Sequence, residues 1–282
     1  MGTVYPFLIS IPHGGDVVPP EVKDRVSITD RDVFYDSDTL TREIYDFRNS
    51  VAAFIEMPIA RAIVDVNRAP GDRPPKNPDG VVKTVTINGT PVYKAGKFPD
   101  DALIEEILQR YYYPYHKKLD DLLDNHNIKL ALDCHSMLSN SPPISDNPGQ
   151  PRPHICLCNR GDNRGMPTGR PITCPPEWIQ ALAESFRRVF GNEGEVTINK
   201  PFLGGYISQV HYERKGIPWI QIEINRTLYL NEAYLEPSKM RVKKEIIRAL
   251  REKIAHAIIH FWTGTSDSEI NSNFKPAFCG HT

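Results

Sequence analysis

Four strand-like apolar runs in this chain each end in a histidine, an Asn-Arg pair or a glutamate. Phe7 to Pro12 runs into His13-Gly14-Gly15, and Ala62 to Val66 runs into Asn67-Arg68. Lys129 to Cys134 runs into His135-Ser136, and Trp219 to Ile222 runs into Glu223. Ligands of open α/β sheets bind at the carboxyl ends of the strands, so residues placed this way can converge on one crevice although far apart in sequence.

Segments of helical period separate these runs. Asp36-Ser37-Asp38 offers capping oxygens ahead of Leu40, Ile44 and Phe47, which predicts a helix starting near Asp38. Asp100 to about Asn125 carries Leu103, Ile107, Tyr111, Tyr115, Leu119 and Leu122 on one stripe, with a kink expected at Pro114. Pro175-Pro176 opens a third helix, and a last one runs from about Ser238 to Phe261. Strands alternating with helices predict an α/β fold, a mainly parallel sheet covered on both faces as three αβα layers. No repeat or clear linker divides the 282 residues, so one domain over residues 1–282 is expected. The stretches Pro70 to Pro99 and Leu138 to Pro153 are rich in turn-forming residues and too long for plain connections, which marks them as lids or walls of a binding site.

Charge excludes some partners. Lys and Arg number 34 against 35 Asp and Glu, with no basic block, so neither nucleic acid nor an anionic membrane is the expected partner. No signal-peptide pattern is present and no apolar run approaches the roughly 18 residues that span a bilayer, so a cytoplasmic protein is expected. Five scattered cysteines do not form a disulfide framework, and Cys156-Leu157-Cys158 reads as a buried strand rather than a zinc knuckle.

His13 and His135, each at a predicted strand end, are candidate zinc ligands, and a catalytic zinc commonly takes a third protein ligand and keeps one open position. Asp16, three residues after His13, and Asp38, beside Asp36, are the local carboxylates that can complete the set. Capping explains one of Asp36 and Asp38 but not both so readily. Glu223 lies in an apolar run, where an ionised carboxylate is costly unless paired or held near a metal. It is a candidate general base, its alternative being a residue on the solvent side of an alternating strand. Arg226 is placed to neutralise that glutamate or an anionic substrate. Asn67-Arg68 presents a guanidinium fork that matches a carboxylate, with Arg61 as a second positive site, so an acidic substrate is expected. His211 and Tyr206 fall in an expected loop before the last strand and are candidates for substrate contact or for packing.

These residues fall into the order of a known family. Ile11-Pro12-His13-Gly14-Gly15, Asp36-Ser37-Asp38 with Tyr45-Asp46-Phe47, and Arg61-Ala62-Ile63-Val64-Asp65-Val66-Asn67-Arg68 resemble motifs of the N-formylglutamate amidohydrolases. Pro114-Tyr115-His116, Asp133-Cys134-His135-Ser136, Gly204-Gly205-Tyr206-Ile207 and Gln221-Ile222-Glu223-Ile224-Asn225-Arg226-Thr227-Leu228-Tyr229 continue the resemblance. That family is similar in turn to the zinc carboxypeptidases, which implies a mixed, mainly parallel sheet like that of the zinc-dependent exopeptidases. The resemblance implies that His13 and His135 bind metal, that Asn67 and Arg68 hold a carboxylate, and that Glu223 is the base. It favours Asp38 as the third ligand, with Asp16 as the alternative. Residues 142 to 176 match the family loosely.

The expected function is therefore a zinc-dependent amidohydrolase acting on a small acidic N-acyl amino acid, with N-formyl-L-glutamate the leading substrate. Another divalent transition metal can satisfy the same ligand set. His211 is expected beside Glu223 among the catalytic residues, in contact with the substrate or the transition state, with Tyr206, Arg61 and Arg226 at the substrate. The alternatives are a zinc peptidase or cell-wall amidase with a larger substrate, and a non-catalytic metal-binding relative.

Overall fold

A computed structural model describes residues 3–191, 194–236 and 238–264 of the protein. Strand β1 (Tyr5–Ile11) is followed by two short helices, α1 (Asp30–Asp36) and α2 (Thr41–Ile44), and by strand β2 (Val51–Glu56). After a long irregular stretch come α3 (Asp101–Ile107), a π-helical turn over Leu108–Tyr112, and α4 (Tyr113–Asn125). Then follow β3 (Leu130–Met137), β4 (Ile155–Cys158), α5 (Pro176–Phe190), β5 (Val196–Ile198) and α6 (Tyr206–Lys215). Strand β6 (Trp219–Asn225), a small hairpin of β7 (Leu235–Glu236) and β8 (Arg241–Val242), and α7 (Lys244–Gly264) complete the described chain.

The central sheet has the order β2-β1-β3-β6-β4-β5 and is mainly parallel, with β4 antiparallel to β6. Side chains alternate across it. Phe7, Ile9 and Ile11 of β1, Leu130, Leu132 and Cys134 of β3, and Ile220, Ile222 and Ile224 of β6 enter one apolar cluster with α2, α5 and α7. Leu8, Ala131 and Trp219 enter a second cluster with α3, α4 and α6. Fully burying one large aliphatic side chain contributes about 1.5–3 kcal/mol, so these two clusters hold the three layers together. Ser10, Asp133, His135, Gln221 and Glu223 share the second face with Leu8 and Ala131. Toward the carboxyl ends that face is therefore polar, and loops rather than apolar helix surface cover it.

Three local expectations change. Ala62 to Val66 is not a strand: its backbone turns, with Ile63 and Val64 N–H donating to the Ala60 carbonyl and Asp65 N–H to the Val81 carbonyl. Its apolar residues are buried in the second cluster, so their hydrophobicity reports burial without strand pairing, and β2 takes the sheet edge instead. Asp36-Ser37-Asp38 closes a helix instead of opening one; Thr29 caps the start of α1 through a capping box, and Ser37 is its C-cap. The segment before β6 that contains Tyr206 and His211 is helix α6.

The kink expected at Pro114 is met by the π turn just before it, which takes up the break in the helix ladder where proline has no N–H. Cys156 and Cys158 lie buried on one side of β4 beside Met137, as a buried strand requires. The described cysteines, Cys134, Cys156, Cys158 and Cys174, are all free, and Cys279 lies outside the described residues. Among the described residues no helix is long and apolar enough to cross a membrane.

Candidate active site and metal centre

Parallel pairing sets His135 of β3 directly beside Glu223 of β6, while β1 on the other side of β3 delivers His13 two residues beyond its end. The two imidazoles meet edge to face with ring centroids 4.7 Å apart. Asp38 reaches them from the turn after α1, where its N–H donates to the His13 carbonyl at 2.9 Å. His13, Asp38 and His135 are all buried, and they bring one possible ligand atom each to within 4.8 Å of the others.

Both rings point the same way. His13 Nε2 lies 2.7 Å from Asp65 Oδ1, and His135 Nε2 lies 3.0 Å from Asp133 Oδ2. Their Nδ1 atoms face one oxygen, Asp38 Oδ2, at 3.6 and 3.0 Å. A carboxylate at Nε2 holds the proton there and leaves the Nδ1 lone pair for a cation. His13 Nδ1 is a buried atom with no hydrogen-bond partner. Two imidazole lone pairs converging on a carboxylate oxygen repel unless a cation or an added proton lies among them, so the donor set fits a divalent metal. Without one, burial opposes charge on His135, but Asp133 and the bonds to Asp133 and Asp38 outweigh it and hold its pKa well above the usual histidine range. Burial likewise opposes charge on Asp38, and its contacts with His13 and His135 prevail, holding the carboxyl well below its usual range.

Asp38 is gripped from its other side. Arg226 places Nη2 3.4 Å and Arg61 places Nη1 3.6 Å from Asp38 Oδ1. Arg226 also donates to Ser136 Oγ and the Tyr35 carbonyl, and Arg61 donates to Asp65 Oδ2. Two of the three arginines expected at the substrate, Arg61 and Arg226, are thus tied to the carboxylates of the histidine cluster. Asp16, the alternative ligand, has a side chain 71% exposed and only a 3.9 Å contact with Arg42. Asp36 is buried, but it accepts from Ile87 N–H away from the histidines.

A cavity of about 770 Å³ opens over this cluster, a size typical of small-molecule sites. Both long loops wall it, through Pro78 and Asp79 in one and Pro142 and Arg152 in the other. Glu223 lines it yet is only 7% exposed, so the solvent-facing alternative does not hold. Its Oε1 accepts from Gln221 Nε2 at 2.9 Å, and burial raises its pKa above the usual carboxylate value. Arg68 lines the cavity with Nη2 2.5 Å from Asp79 Oδ2, and the Tyr112 hydroxyl fixes its carbonyl. Asn67 also lines it, but its amide is a strut: Oδ1 accepts from Ile207 N–H at 2.8 Å and Nδ2 donates to Asp133 Oδ2 at 3.5 Å. A side chain on Gly205 would come within 2.3 Å of that amide, so glycine is required there.

His211 and Tyr206 lie outside the cavity lining. His211 is fully buried between His116, at 2.9 Å, and Asp120, at 2.8 Å. His116 Nε2 contacts the Val66 carbonyl at 2.9 Å, so this chain of rings supports the turn before Asn67. Tyr206 packs its ring 5.7 Å from that of His116. Three participants escaped sequence reasoning: Asp65 and Asp133 behind the histidines, and Arg152. An acid inside an apolar run was the available signal for the first two, as it was for Glu223.

A mainly parallel sheet with acid–base groups gathered in a cavity at its strand ends defines an α/β enzyme. The N-formylglutamate amidohydrolase of Ralstonia eutropha JMP134 shares this fold, with a TM-score of 0.74 at 19% identity over 93% of this chain and 95% of that one. A gene product of Agrobacterium tumefaciens matches with a TM-score of 0.59 at 16% identity, covering 92% of each chain. No curated protein sequence matches significantly. The model of the N-formylglutamate amidohydrolase family matches residues 5–230. The chain belongs to this family and is a hydrolase acting on amide bonds.

Proposed function

We propose that the protein is a single-domain, zinc-dependent amidohydrolase that converts N-formyl-L-glutamate to formate and glutamate. The observation that carries this reading is the shared aim of His13 Nδ1 and His135 Nδ1 at Asp38 Oδ2, with Glu223 beside His135 in the sheet. His13, Asp38 and His135 would hold the zinc ion, which when bound supplies Lewis acidity to polarise the formyl carbonyl and acidify water. Glu223, its pKa raised by burial, takes a proton from the attacking water and returns it to the amide nitrogen as the C–N bond breaks. Arg68, which meets Asp79 at the cavity wall through Nη2, receives the α-carboxylate, and Asn67 braces Asp133, the partner of His135.

A cavity of about 770 Å³ walled by both loops supports an acylated amino acid over a peptide or cell-wall strand. A buried Glu223 beside the histidines supports turnover over mere metal binding. Four buried free thiols suit a cytoplasmic setting. The test is formate release from N-formylglutamate by the purified protein, before chelation, after it and after zinc is restored. Activity that zinc restores is expected; absence of formate release in every state overturns the reading.

A further inference from the structure

Four arginines line the cavity: Arg61, Arg68, Arg152 and Arg226. Arg61 is bound to Asp38 and Asp65, and Arg226 to Asp38, Ser136 and the Tyr35 carbonyl, whereas Arg68 meets Asp79 through Nη2 alone. Arg152 differs. Its side chain makes no hydrogen bond or ion pair among the described residues, and its Nε is a buried atom without a partner. A guanidinium carries five donors, and leaving the buried one unmatched is costly.

The residue is nevertheless held in place. Its N–H donates to the Ser139 carbonyl at 2.8 Å, and its carbonyl accepts from Asn225 Nδ2 at 3.2 Å. The guanidinium carbon sits 4.8 Å from the centre of the Phe202 ring, and Phe202 also lines the cavity. Asn225 ends β6, the strand that carries Glu223, so Arg152 is anchored beyond the carboxyl end of the base's own strand. Arg68, by contrast, belongs to the buried turn supported by His116 and Tyr112. Glu223 attracts this guanidinium without a hydrogen bond to it, so its donors remain free for an anion that arrives with the substrate.

We infer that Arg152 receives a second carboxylate, that of the substrate's side chain, and so selects N-acylated dicarboxylic amino acids over their neutral counterparts. The inference rests on the N-formyl amino acid reading above and sharpens it. It also transfers to Arg152 the task that Arg61 and Arg226, bound to Asp38, are not free to perform.

The experiment compares kcat and KM for N-formylglutamate and N-formylglutamine, which differ in one side-chain charge, in the wild-type protein, Arg152→Gln and Arg152→Lys. Wild type should favour N-formylglutamate. Arg152→Gln should lower kcat/KM for that substrate about 10- to 100-fold, chiefly through KM, and narrow the preference toward unity. Arg152→Lys, which keeps the charge without the fork, should retain an intermediate preference. Equal losses on both substrates, or a preference unchanged in both variants, would overturn the inference while leaving the amidohydrolase reading intact. The same holds if wild type cleaves both substrates equally. If wild type cleaves neither, the parent reading itself falls and takes this one with it. Should Arg152→Gln fail to fold, the Arg152→Lys preference alone decides.

Discussion

His13 Nε2 and Asp65 Oδ1 stand 2.7 Å apart in a buried pair, and that bond turns the unpartnered Nδ1 of the same ring toward Asp38. Burial opposes the charge on Asp65, but His13, Arg61 and Lys83 outweigh it and keep the carboxyl well below its usual range. Asp65→Asn keeps the shape and removes the charge that fixes the proton on Nε2. Zinc affinity, measured by competition with a chromogenic chelator, should fall about 10- to 100-fold. Asp16→Asn, at an exposed site, should leave it unchanged. An equal loss in both variants would remove the special role of Asp65.

Glu223→Gln tests the proton-transfer step without disturbing packing. The glutamine's amide oxygen can accept the bond that Gln221 Nε2 now gives to Glu223 Oε1. Metal analysis should show the wild-type zinc content, while kcat for formate release falls about 10²- to 10⁴-fold. Retention of full turnover would take Glu223 out of the mechanism.

How far the chain could be read in advance depended on what its residues do in isolation. Strands β1, β3 and β6 were legible because their runs are long, apolar and bounded by polar residues. The run Ala62 to Val66 has the same composition but turns beneath Lys83, whose buried ammonium contacts Asp65 and Asp79; such an arrangement leaves no local signature. Asp38 was recognisable as a site residue from neighbouring acids and family pattern, yet its setting was not, because an aspartate ends α1 there as readily as one starts a helix. Arg152 was unreadable. Its interest lies in lacking a partner, which only the arrangement of all the other charges reveals.

Protonation of His116 should appear in the acid stability of the protein. Burial, aided by the neighbouring His211, lowers its pKa from 6.5 to about 3. The unfolded chain thus binds this proton first, so the stabilising contribution is complete above about 6.5 and is lost as pH falls toward 3. Within that window His116 contributes a slope of up to about 1.4 kcal/mol per pH unit. Urea unfolding at pH 7.5, 6, 5 and 4 should show a shallower acid dependence for His116→Gln than for wild type, whatever its stability at neutral pH. Parallel dependences would mean that His116 titrates alike in both states.

The two glycines after His13 should respond differently to alanine. A Cβ on Gly15 would fall 2.4 Å from the Pro58 carbonyl carbon and 2.5 Å from the Met57 carbonyl oxygen, both backbone atoms of the segment after β2. Those atoms are fixed by the bonds of Met57 N–H to the Ile11 carbonyl and Val17 N–H to the Pro58 carbonyl. The clash can be relieved only by moving the chain that carries His13, so Gly15→Ala should destabilise by about 1–3 kcal/mol and weaken zinc binding together. On Gly14 the added carbon meets Arg42 Cγ at 2.6 Å and Thr41 Oγ1 at 2.8 Å; relieving these contacts takes rotation of both side chains and loss of the Thr41 bond to the Asp38 carbonyl, but no backbone clash. Gly14→Ala should therefore cost less by thermal or urea unfolding, and the order of the two variants is the measurable claim. A reversed order would show that the backbone contact between Gly15 and Pro58 does not constrain the histidine.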